Sequence, residues 1–119
     1  EEEMYIAKYL KINNYKIKKF TNYNYERVPG ISDIAIKNSG NKDISNLTIT
    51  VYFQDKSGKD IAEDEFMIIG NFDEPSPLKA NYSWKMEKDK FYEFKNLSEE
   101  VDLSRNKVKI TEIEFDSEN

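Results

Sequence analysis

Between Leu47 and Gln54 the chain alternates without a break: Leu47, Ile49, Val51 and Phe53 are apolar, and Thr48, Thr50, Tyr52 and Gln54 separate them. A period of two puts successive side chains on opposite faces of a strand. The segment therefore buries one face and wets the other, as strands of antiparallel sheets do. Turn chemistry flanks it, Asn38-Ser39-Gly40-Asn41 before and Asp55-Lys56-Ser57-Gly58 after. Such a strand needs partners. Ile34 and Ile36 predict one ahead of the first turn, and Ile61–Ile69 predicts another behind the second.

The remaining pattern is shorter-ranged. Tyr82, Trp84 and Met86 share parity, which predicts a strand entered from the Pro75-Ser76-Pro77 loop, with Trp84 as a core plug. Phe91 and the stretch Tyr92–Leu97 predict a further strand, and Tyr15 with Ile17 another near the start. Val108 and Ile110 lie on one parity, Ile113 and Phe115 on the other. All four face inward only if a bulge near Thr111-Glu112 shifts the phase. Glu2–Leu10 reads as a short helix or a further strand, so residues 1–11 form an N-terminal extension. About seven short strands separated by turns predict an all-β fold, an immunoglobulin-like antiparallel β-sandwich in one domain spanning 1–119. At 14.1 kDa the chain can bury about two-thirds of its extended surface, room for a single core.

Two zeros restrict the chemistry. The sequence has no His and no Cys, which removes imidazole bases, His and Cys metal ligands, thiolate nucleophiles and disulfides. Carboxylate pairs such as Asp64/Glu65 or Glu99/Glu100 are adjacent in sequence. Neighbours along a strand point to opposite faces, which works against their sharing a glycosidase cleft. No catalytic residues and no cofactor are expected. The net charge of −5 argues against a nucleic-acid partner. Residues 4–30 nevertheless hold six basic side chains (Lys8, Lys11, Lys16, Lys18, Lys19, Arg27) against one acid, Glu26. That stretch reads as a solvated face, with contact to a membrane surface or an acidic partner as the functional alternative. No apolar run reaches the ~18 residues of a membrane helix. The first residues are Glu1-Glu2-Glu3, with no initiator Met, so a missing export signal is not read as cytoplasmic residence.

Ile34-Ala-Ile-Lys-Asn38, Ser39-Gly40-Asn41, Leu47 to Asp55, Gly58-Lys59-Asp60-Ile61 and Pro77-Leu78-Lys79-Ala80 together resemble the bacterial envelope sandwich domains of the FxLYD type, over roughly residues 30–86. Tyr52-Phe53-Gln54-Asp55 stands at the family's name-giving motif, keeping its aromatic and its Asp without the Leu-Tyr. The resemblance implies an extracytoplasmic, non-enzymatic module of the cell envelope, lipoprotein or membrane-anchored, with no catalytic residues to carry over.

Three features are candidates for binding. In Phe20-Thr-Asn-Tyr-Asn-Tyr25, the rings of Tyr23 and Tyr25 and the amides of Asn22 and Asn24 could stack on a sugar and bond its hydroxyls, or form a protein contact. The alternative role is turn formation and closure of the sandwich end. Asp55 and Asp60, perhaps joined by Asp64 and Glu65, are calcium candidates, as are Asp73-Glu74. The Asp55 loop has Gly at its fourth position and Lys at its fifth, which breaks the EF-hand pattern and favours a hairpin turn. The sequons at Asn46, Asn81 and Asn96 read as coincidence. The expectation is a non-enzymatic binding or structural module of the bacterial envelope, with a protein or an envelope glycan as partner. Tethering to a membrane through a segment ahead of residue 1 fits that reading. The alternatives are a carbohydrate-binding module using the Tyr-rich loop and a calcium-stabilised adhesive domain.

Overall fold

In a computed structural model, which describes residues 1–95 and 97–117, one helix precedes seven strands: α1 (Glu2–Tyr9), β1 (Leu10–Thr21), β2 (Arg27–Asn38), β3 (Ile44–Gln54), β4 (Asp60–Ile69), β5 (Ser83–Lys85), β6 (Phe91–Glu93) and β7 (Asp102–Phe115). They form two antiparallel sheets. One has the order β1-β2-β5 with β6 also on β2, and the other is β4-β3-β7. The inner faces meet in a core of Ile31, Ile34 and Ile36 from the first sheet and Leu47, Ile49, Val51, Phe53 and Ile113 from the second. The alternating residues of β3 pack inward as their period predicts, and the fold is a β-sandwich.

Three devices keep apolar residues inward where simple alternation fails. On β7, Glu112 pairs with Thr48 and Ile110 with Ile49, so Thr111 is the extra residue of a bulge. This is the phase shift that the two parities of β7 require. Its hydroxyl lies 2.8 Å from that of Thr50. On β4, Ile69 pairs with Leu47 and Met67 with Thr48, so Ile68 is passed over and both isoleucines are buried. On β2, Asp33 takes φ 57° between the inward-facing Ile31 and Ile34; Asn14 on β1 donates to its carbonyl at 3.2 Å.

Of the two readings of Glu2–Leu10, the helix is correct. Glu2 and Glu3 in its first turn and Lys8 in its last complement the helix dipole. Eight residues are too few to be helical alone, and docking supplies the difference. Tyr5 is buried, with its ring 5.2 Å edge-on to Phe115. Among the described residues no helix is long and apolar enough to cross a membrane.

The second half departs from the sequence reading. The strand expected over Tyr82–Met86 contracts to Ser83–Lys85, with Tyr82 exposed, Trp84 half-buried and Met86 buried. Trp84 is therefore not an enclosed plug. Its strand hydrogen-bonds only to β2 and leaves the other edge open, so the indole packs against the core on one side alone. The expected Phe91–Leu97 strand ends at Glu93, and the sequon Asn96 lies outside the described residues.

Candidate functional site

β5 and β6 are two pieces of one edge strand. Both run antiparallel to β2, β5 opposite Ala35–Lys37 and β6 opposite Gly30–Ser32. Met86 still donates to the Ile34 carbonyl at 2.8 Å, and Phe94 to that of Pro29 at 3.0 Å. Between them the chain leaves the sheet as a turn closed by Lys90 N–H on the Glu87 carbonyl at 3.3 Å, with Asp89 at φ 68°. Where the edge strand breaks, a hollow of about 650 Å³ opens. That volume lies within the range of small-ligand sites, about 300–1,000 Å³.

Its aromatic and apolar lining is buried or half-buried: Trp84, Met86, Phe91 and Tyr92, with Asn22, Glu74 and Glu93 half-buried beside them. These side chains are braced from behind. Phe91 stacks on Phe20 at 4.5 Å and 7°. Gly30 lies between the two strands that carry those rings, and a Cβ there would stand 2.9 Å from Phe91 and 3.1 Å from Phe20. Tyr92 stacks on Phe66 of the opposite sheet at 5.2 Å, and its hydroxyl accepts a bond from the Asn71 amide at 3.2 Å.

The rest of the lining is polar and strongly negative. Asp73, Glu74, Glu87, Asp89 and Glu93 supply five carboxylates, and Lys90 supplies the single ammonium. Lys90 pairs with Glu87 at 2.9 Å. That hydrogen bond and charge hold its pKa above the usual lysine value, helped by the charges of Asp73 and Glu74. Tyr92 also titrates above an ordinary tyrosine. Burial is the main cause, the Asn71 bond opposes it, and Asp73 and Glu74 add to it.

The Tyr-rich loop joins the hollow in part. Asn22 and Tyr23 line it, whereas Asn24 and Tyr25 are not among its lining residues. Asn22 also forms the turn: its Oδ1 accepts from the N–H groups of Asn24 at 2.9 Å and Glu26 at 3.0 Å, and its amide donates to the Glu26 carboxylate at 3.1 Å. Tyr23 is 101% exposed and Tyr25 90%, the latter at φ 62°. Sequence reasoning placed Asp73-Glu74 among calcium candidates and passed over Glu87, Asp89 and Glu93. Glu87 and Asp89 lie in the turn between β5 and β6 and Glu93 on β6, and only the broken strand brings them to one hollow with Asp73 and Glu74.

The other calcium candidates sit in a hairpin. Asp55 Oδ1 accepts from Ser57 N–H at 2.9 Å, Ser57 Oγ at 2.6 Å and Lys59 N–H at 3.0 Å, and Gly58 takes φ 89°. Asp60 accepts from the Gln54 amide at 3.0 Å, and Asp64 from Lys95 N–H at 3.0 Å. Among the described residues no three carboxylates converge as metal ligands.

Fold and hollow together define an antiparallel β-sandwich with an aromatic, acidic recess at one interrupted edge. Compared with known proteins, the chain matches no family model, no curated protein and no solved structure.

Proposed function

We propose that this chain is a non-enzymatic recognition module, immunoglobulin-like in architecture, that works outside the cytoplasm in a bacterial cell envelope and binds a partner in the hollow beside β5 and β6. The observation that carries the reading is the hollow itself: half-buried aromatic side chains, braced by rings of both sheets, open to solvent at a sheet edge. Sites of this kind combine an apolar lining with a few convergent polar groups, and exposed aromatics are enriched where proteins meet partners. The resemblance to FxLYD-type envelope domains supports the location. Tyr23→Ala removes an exposed ring without touching the core, so it weakens binding to the partner while the melting temperature stays close to that of the wild type, as for surface substitutions in general. Retention of full affinity by Tyr23→Ala and Trp84→Phe would place recognition elsewhere.

A second reading, a small carbohydrate-binding module, is favoured by one observation. Asn22 and Tyr23 line the same hollow as Trp84, putting an amide beside aromatic rings. A panel of envelope glycans separates the readings, because a sugar binder responds to one of them at any salt concentration.

A further inference from the structure

We infer that the hollow takes an organic cation, an ammonium or guanidinium group on a flexible stem, as carried by a lysine or arginine side chain of the partner. This rests on the recognition reading above and adds the chemical class of the ligand.

The aromatic lining makes the hollow a binding site, and the charge around it selects the ligand. A neutral ligand has no need of the five carboxylates spread around the lining on two loops and a strand, and an anion would be repelled by them. The single internal cation, Lys90, satisfies Glu87 and leaves the negative excess in place. Asp73 and Glu74 act on both Tyr92 and Lys90, so their field reaches across the hollow. A cation held over an aromatic face is attracted by the ring quadrupole as well as by the carboxylates. Guanidinium groups in particular stack on rings and bond carboxylates bidentately. The stem of such a side chain would cover Met86 and the ring faces while its charged head stays near Asp73 and Glu74.

Trp84 is the chain's single tryptophan and lines the hollow, so its emission reports occupancy directly. The probes are a heptapeptide of alternating arginine and glycine, spermidine, and neutral chitohexaose, each titrated in 20 mM and 500 mM salt. The cationic probes are expected to change Trp84 emission saturably, and to bind about tenfold more weakly at high salt. Asp73→Asn with Glu74→Gln weakens them about tenfold, the yield of two exposed charge contacts. Lys90→Gln removes the competing ammonium and tightens them, a gain that misfolding cannot imitate. Tighter binding of the peptide than of spermidine assigns the cation to a protein partner, and the reverse order assigns it to a free amine. Unchanged affinity in the Asp73/Glu74 variant, or weaker binding in Lys90→Gln, overturns the inference. Saturation by chitohexaose alone overturns it too but leaves the hollow a recognition site. No response to any probe removes the recognition reading as well.

Discussion

The Tyr5 hydroxyl donates a 2.8 Å hydrogen bond to Asn38 Oδ1, joining α1 to the last residue of β2 across 33 positions of sequence. Asn38 is fully buried, and its amide donates to the carbonyl of Lys42 at 2.8 Å and toward those of Lys79 and Leu78 at 3.3 and 3.4 Å. Its Oδ1 also accepts from Gly40 N–H at 3.1 Å. One amide thus anchors the helix, the β2–β3 turn and the approach to β5. Asn38→Ala strands several of these groups and costs about 2–3 kcal/mol, against about 1 kcal/mol for Tyr5→Phe. Chemical denaturation of the two variants checks the order, and equal losses would mean that Asn38 matters only through Tyr5.

Thr111 sets the phase of the last strand. Its deletion closes the bulge and leaves Val108, Ile110, Ile113 and Phe115 on one parity, with Glu112 still opposite Thr48 and Ile113 opposite Leu47. Thr111→Val keeps the residue count and loses only the contact with the Thr50 hydroxyl, for about 1 kcal/mol. Both variants are expected to stay folded by circular dichroism, and an unfolded deletion variant would show that the bulge is needed for more than the phase of the strand.

Asp55 gives the β3–β4 hairpin a pH dependence. Its carboxyl is held below the usual aspartate range, first by the Ser57 hydroxyl and then by Lys59 N–H. Since the folded value is the lower one, its contribution is complete above the unfolded pKa of about 3.9 and fades as pH falls through the folded value. Asp102 repeats the arrangement, with Ser104 as the main cause. Melting temperatures from pH 7 to 2.5 should converge for wild type and Asp55→Asn at the acid end, with wild type higher at neutral pH. Because the turn already occupies Asp55 Oδ1, EDTA and millimolar calcium are expected to give the same melting temperature.

Gly30 is required by space. A Cβ there would stand 2.8 Å from the Tyr92 carbonyl as well as against Phe91 and Phe20. Gly30→Ala forces β6 away from β2 and should cost about 1–3 kcal/mol, as overpacking does. Phe91 and Tyr92 line the hollow, so the same variant also weakens ligand binding there. A destabilised variant that binds normally would show that the hollow does not depend on that strand.

Local rules made some of this legible. β3, the Asp55–Gly58 turn and the Thr111 bulge follow from parity and turn chemistry within about ten residues. Trp84 and the β5–β6 region do not, because three-residue strands carry almost no period and their burial is decided by β2. The same holds for the site. Asn22 and Tyr23 stand out in sequence as a loop of rings and amides, whereas Glu87 and Glu93 reach the hollow only because β5 and β6 pair with a strand more than 40 positions earlier.

The interrupted edge separates what holds the fold from what meets a partner. Ile31, Ile34 and Phe94 stay in the core on either side of the break, while Tyr23, Asp73, Glu87 and Asp89 stand exposed on the segments that leave the sheet. Substitutions on those segments leave core burial almost untouched, and loops tolerate them best. Selection can therefore rewrite the rim, in charge, length or ring content, while the sandwich beneath keeps its stability. Descendants of one such gene can diverge in what they hold long before they diverge in shape.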